Sequence, residues 1–155
     1  MKKTAFFVIG LFLLLGLTSC RSGKDDQALL SRTFLATGWE RFDFITKDLE
    51  IKRPTTYDLS MKVAFDPSYA YDYLSVVFTV FDSDDHPLRA KSYQFGLKEM
   101  DGSWKSELVD GYYTFTLPIN SELAFPEPGM YKLQLESRMP ITPLAGIHRI
   151  SIIAN

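Results

Sequence analysis

The chain has 155 residues, with 17 Lys and Arg against 19 Asp and Glu, two histidines, one cysteine and 46% hydrophobic residues. That length suits one compact domain with a real core, and the near-neutral balance argues against a nucleic-acid surface. A single thiol excludes an internal disulfide framework, so packing alone must hold the fold.

The chain opens MKKTAFFVIGLFLLLGLTSC. Lys2 and Lys3 give a positive start, and Ala5 to Leu17 is an unbroken apolar-and-glycine run. A spanning helix needs about 20 apolar residues, so this run reads as a secretory signal rather than a membrane span. Leu17-Thr18-Ser19-Cys20 resembles the lipobox of bacterial lipoproteins: an apolar residue, two small residues, then cysteine. The resemblance implies cleavage before Cys20, a diacylglyceryl thioether on its sulfur and an acyl group, palmitate for instance, on its new amine. One acyl chain holds a protein only marginally, at about 0.8 kcal/mol per buried methylene, whereas two or three chains on one residue anchor it stably. Cleavage removes Lys2 and Lys3, lowering the basic count from 17 to 15 against 19 acidic residues.

Three segments are therefore expected: a signal peptide over 1–19, a lipidated flexible tether over 20–31 and a folded domain over 32–155. The tether carries Gly23, Lys24, Asp25 and Asp26, a polar composition that resists packing. Its "KDD" also resembles the acidic export signals of surface-exposed lipoproteins. Such charge equally serves solubility, and a periplasm-facing domain on the outer membrane is the expectation.

Beyond the tether the dominant period is two. "WERFDF" (39–44) is a weak strand candidate. In "YDLSMKVAF" (57–65), Tyr57, Leu59, Met61, Val63 and Phe65 alternate with a mostly polar set, as on a half-buried strand. "YLSVVFTVF" (73–81) is apolar on both sides, as a central strand would be. "RAKSYQFGL" (89–97), "YYTFTLPI" (112–119), "MYKLQLES" (130–137) and "IHRISIIA" (147–154) complete the set. Between them stand the turn signals "DPS", "DSDDHP", "MDGS" and "PEPG". No segment past residue 40 keeps helical spacing. The pattern predicts an all-β fold, a two-sheet antiparallel β-sandwich of immunoglobulin-like or jelly-roll-like type.

Convergent catalytic groups are not evident. His86 and His148 sit in no triad or metal spacing. Asp82, Asp84, Asp85 and His86 of "DSDDH" offer oxygen and nitrogen donors to a divalent cation. Pro87 and Leu88, however, replace the glycine and later ligands of a calcium loop, and a solvated turn is the reading adopted. No catalytic residue, metal or cofactor is expected, and no small-molecule substrate is evident. Tyr69, Tyr71 and Tyr73 alternate in "SYAYDY", and on an extended chain they would share one face. With Trp104, just past the Asp-Gly turn, they are the candidate partner or glycan contacts, against a plain packing role. In "SRMPITPLAGIHRISI", Pro140 and Pro143 bracket a shaped connection, Gly146 turns the chain into the last strand, and Arg138 is placed to pair at the core edge.

Taken in order, Cys20, "YDLSMKV", "YAYDYLSVVFTV", "DGSW", "GMYKLQLESRM" and "LAGIHRISI" resemble the gliding-motility-associated (GldH-type) lipoproteins of Bacteroidetes-type bacteria. The likeness covers most of residues 35 to 154. It departs at Arg138-Met139, which stand in reversed order, and at Arg149-Ile150-Ser151, where a small residue or glycine is expected. The resemblance implies a non-enzymatic, outer-membrane-anchored component with envelope protein partners. The alternative is a glycan-binding accessory lipoprotein using the tyrosine face.

Overall fold

The computed structural model describes residues 28–155. The expected signal peptide, Cys20 and residues 20–27 of the expected tether lie outside the described residues. Every regular element described is a strand: β1 (Ala28–Thr33), β2 (Ile45–Ile51), β3 (Thr55–Phe65), β4 (Tyr73–Phe81), β5 (Pro87–Gly96), β6 (Leu108–Val109), β7 (Tyr112–Phe125), β8 (Gly129–Ser137) and β9 (Ile147–Ala154). They form a five-stranded sheet in the order β1-β9-β3-β7-β6 and a four-stranded sheet in the order β2-β8-β4-β5, with all pairings antiparallel. The expected all-β sandwich is the fold observed.

Period-two alternation explains the core. Leu59, Met61, Val63 and Phe65 of β3 face Leu74, Val76, Phe78 and Val80 of β4, all buried. Ile150 and Ile152 of β9, with Leu133 and Leu135 of β8, extend the same layer. β4 lies between β8 and β5, which accounts for its apolar residues on both rows.

Several elements depart from expectation. The tether was expected to reach Ser31, but Ala28–Ser31 belong to β1: Leu30 is buried and the Ser31 and Ser151 hydroxyls meet at 3.0 Å. "WERFDF" is no strand. Trp39 makes one isolated bridge to Leu144, and residues 40–44 form a turn because Phe42 takes a positive φ of 63°. β2 follows instead; its inward row of Ile45, Lys47, Leu49 and Ile51 is interrupted by a lysine, which disguised the alternation. β7 continues past Pro118 to Phe125. The proline is tolerated because, among the described residues, β6 pairs only with Tyr112 and Tyr113, so the outer edge of β7 needs no ladder donor at Pro118.

Glycine is required where loops meet the sheet ends. At Gly146 φ is +85°, and a Cβ there would stand 2.8 Å from Tyr69 Cα. Gly102 has a φ of +84° in the hairpin between Lys98 and Trp104, but a Cβ there would meet nothing within 4 Å. Gly102→Ala should therefore cost only the left-handed backbone penalty, about 1–2 kcal/mol. Gly146→Ala should exceed it by at least about 1 kcal/mol, because backbone has to move. Urea midpoints of the two variants check this ordering.

Candidate interaction surface

Six connections cross between the sheets, and four of them gather at one end: residues 34–44, 66–72, 97–107 and 138–146. The candidates read from the sequence fall largely here. Tyr69 is only 2% exposed. It precedes β4 in a turn held by Tyr69 N to Asp66 O at 2.9 Å, and its hydroxyl donates to Tyr73 O at 2.8 Å. Its ring packs on Phe65 at 4.7 Å and edge-on to Tyr71 at 5.6 Å. Tyr71 and Tyr73 are half-buried against the core. The three tyrosines thus share no open face, because the strand that would align them begins only at Tyr73. Trp104 is half-buried as well, stacked on Tyr113 at 4.4 Å with Lys98 Nζ 5.0 Å above its ring. These residues form the packed lid of the core, the packing role weighed for them.

In the β4–β5 hairpin, Asp82, Asp84 and His86 bring one potential ligand atom each within 4.8 Å of one another. Asp82 Oδ1, however, already accepts from Asp84 N and His86 N at 2.9 Å each, and Asp85 pairs with Lys132. The bond from His86 N leads the effects that hold the Asp82 carboxyl below its ordinary value. The group serves the turn. Arg138 pairs loosely with Glu136, at 3.6 Å.

A feature not singled out in the sequence is the presentation of Phe42. The backbone N–H of Asp43 donates to Glu40 O at 3.3 Å, closing a turn whose third residue is Phe42. A type II turn uses glycine at that place, and a bulky residue with positive φ is a strained outlier. The turn is braced on all sides. Arg32 holds Asp43 through two bonds of 2.7 and 2.6 Å, and Trp39 Nε1 donates to Asp43 O at 2.7 Å. Arg41 N donates to Thr142 Oγ1 at 2.8 Å, and Trp39 and Leu144 exchange backbone bonds of 3.0 and 2.9 Å. Gly38 permits that approach, since a Cβ there would lie 2.6 Å from Leu144 O. The braces leave Phe42 74% exposed. Leu35, Phe44 and Ile141, on the same two loops, are exposed too.

With this geometry in place, comparison with known proteins assigns the chain. The family model described as GldH lipoprotein matches residues 31–153. The chain belongs to the GldH lipoprotein family. Membership makes it a lipoprotein, tied by a lipid anchor to a membrane of the cell envelope. Among solved structures, one described as "CBM4 structure and function" is similar at 12% identity and a TM-score of 0.37, covering 81% of this chain and 70% of that one. The infectious bursal disease virus VP2 subviral particle is similar at 11% identity and a TM-score of 0.32, covering 80% of this chain and 28% of that one. No curated protein matches the chain.

Burial, aided by the neighbouring Tyr71 and Tyr73 phenols, pushes the Tyr69 hydroxyl well above its ordinary value of 10.0. The unfolded chain ionises this group near the ordinary value while the folded chain keeps it protonated. The contribution of this group to stability is therefore full below about pH 10 and falls as pH rises above it. Tyr69→Phe should lose about 1 kcal/mol at neutral pH, from the unpaired Tyr73 carbonyl. It should also show a shallower alkaline decline than the parent; denaturant midpoints on either side of about pH 10 read both effects.

Proposed function

We propose that this lipoprotein is a non-catalytic assembly component of the outer membrane, anchored through Cys20 and associated with the gliding-motility apparatus of its family. It holds an envelope protein partner through the end of the sandwich that displays Phe42. The observation that carries this reading is the strained, cross-braced turn. Strain of about 1–3 kcal/mol persists only where surrounding structure enforces it, and such strain clusters at functional contacts. A solvent-facing phenylalanine held there costs stability and contributes nothing to the core. It has the properties of an interface anchor, a rigid aromatic ready to fill a partner's pocket.

The direction of the chain supports a protein partner over a lipid one. β1 enters at Ala28, beside Ile153, and runs to Thr33 and Phe34, beside Arg149 and His148. The Phe42 turn thus stands at the opposite end from the point where the anchored segment joins the domain. The domain is read as facing the periplasm, which places that end toward soluble or membrane-bound envelope proteins.

Phe42→Gly separates function from stability. Glycine relieves the positive φ and should raise stability by about 0.5–1 kcal/mol. Loss of the ring should weaken partner binding by about 2 kcal/mol or more. Co-purification after mild crosslinking of cells checks the second effect, and thermal denaturation the first. Retention of every partner by Phe42→Gly would contradict the assignment of the contact to this turn.

A further inference from the structure

The two long sides of the sandwich differ. On one side Arg32 of β1 pairs with Asp43 in the loop that leads into β2. On the other, among the described residues, β5 is the edge of its sheet and β7 past Tyr113 has no partner on its outer side. Between β5 and β7 the seam opens into a cleft of about 360 Å³, near the lower end of the size range of small-ligand sites. Two bulges border it. From Tyr57 to Ser60 on β3 the pairing moves from Leu123 to Pro118 on β7, skipping a residue on β7 at each of two steps, with Glu122 at a φ of 54°. Bulges bend a strand and re-aim its side chains, and they recur beside binding sites.

The lining is unusual for the inward row of a sandwich strand. Tyr93 and Phe95 of β5 pack on the core, so Arg89 and Lys91, four and two residues before Tyr93, extend the same row. Among the described residues neither cation has an ion pair; Lys91 lies 5.1 Å over the Tyr93 ring. Facing them are Asp58, Ser121 and the amides of Asn120 and Asn155. Asp58 Oδ1 accepts from Glu122 N at 2.8 Å, and Asn155 Nδ2 donates to Ser60 Oγ at 2.9 Å. Leu59 and Ile119 supply an apolar floor.

We propose that this cleft is a binding site for an acidic saccharide, its carboxylate taken by Arg89 and Lys91 and its hydroxyls by Asp58, Asn120 and Ser121. Two cations that form no ion pair among the described residues leave room for an anion between them. A bare phosphate fits poorly, because its charge is spread over all its oxygens and would face the Asp58 carboxylate, whereas a sugar acid sets its carboxylate apart from its hydroxyls. Amides and hydroxyls both donate and accept, which matches sugar hydroxyls, and the Tyr93 ring with the apolar floor matches the C–H face of a pyranose. The site lies away from the Phe42 turn, so it stands independently of the assembly role.

Isothermal titration of the mature lipidated protein in detergent micelles tests it, with digalacturonate, uncharged galactobiose and inorganic phosphate as probes. Digalacturonate should bind saturably, galactobiose and phosphate at least tenfold more weakly, and Arg89→Gln/Lys91→Gln should weaken digalacturonate at least tenfold. Asp58→Asn, which keeps an oxygen for Glu122 N, should weaken digalacturonate and strengthen phosphate. Absence of digalacturonate binding at millimolar concentration overturns the proposal, as does equal binding of galactobiose or phosphate, or an unchanged double variant. If the double variant self-associates and the parent binds none of the probes, the two cations are edge protectors of β5 and the site does not exist.

Discussion

The reciprocal backbone bonds between Trp39 and Leu144 are the constraint on which the end of the sandwich that displays Phe42 depends. Residues 34–44 carry the chain from the five-stranded sheet to the four-stranded one, and residues 138–146 carry it back. Joining the two crossings at Trp39 and Leu144 closes that end, and burial of both side chains makes the closure part of the core. The Trp39 indole then grips the Asp43 carbonyl, and Asp43 grips Arg32 on β1. One buried aromatic thus fixes the backbone of the turn beside it. Buried hydrogen-bonded networks of this kind specify a single geometry, because a partly broken one leaves polar groups desolvated and unpaired.

From that rigidity the remaining assignments follow in sequence. A turn left free would relax Phe42 out of the positive-φ region; a clasped one presents the ring without further ordering on binding, which reduces the entropic cost of association. β1 links this end to the anchored segment. Its first residue is eight positions after Cys20, and eight extended residues span at most about 28 Å. Under the proposed function, an anchor at Cys20 and the Phe42 turn are joined through β1, which pairs with β9 continuously from Leu30 to Thr33.

The legibility of these features in the sequence tracks how local their causes are. β4 and β9 coincide with their sequence limits because unbroken apolar or alternating runs end at turn residues. β3 was recognised two residues short, since Thr55 and Thr56 lack an apolar signature. β2 escaped because Lys47 occupies its inward row at a sheet edge, where the stem of a long side chain can lie on the core while its charge reaches water. The Asp110-Gly111 pair, both with positive φ, is the hairpin signal that would have found the two-residue β6. The tyrosine stripe misled for a different reason: alternation implies a shared face only inside a strand, and Tyr69 and Tyr71 lie before one. Phe42 was illegible in principle, since its conformation is imposed by Arg32, Thr142 and Leu144, residues distant in sequence. The cleft was hidden likewise, for it depends on the seam left between β5 and β7.

The central claim is that a lipid-tethered sandwich meets its protein partner with the clasped turn at the end away from its anchor. A photoreactive amino acid placed at position 42 in living cells tests this most directly, with position 88 of β5, also exposed, as the control. Irradiation should yield a discrete covalent adduct with an envelope protein from position 42 and none from position 88. An adduct confined to position 88, or labelling of lipid alone from position 42, would contradict the account.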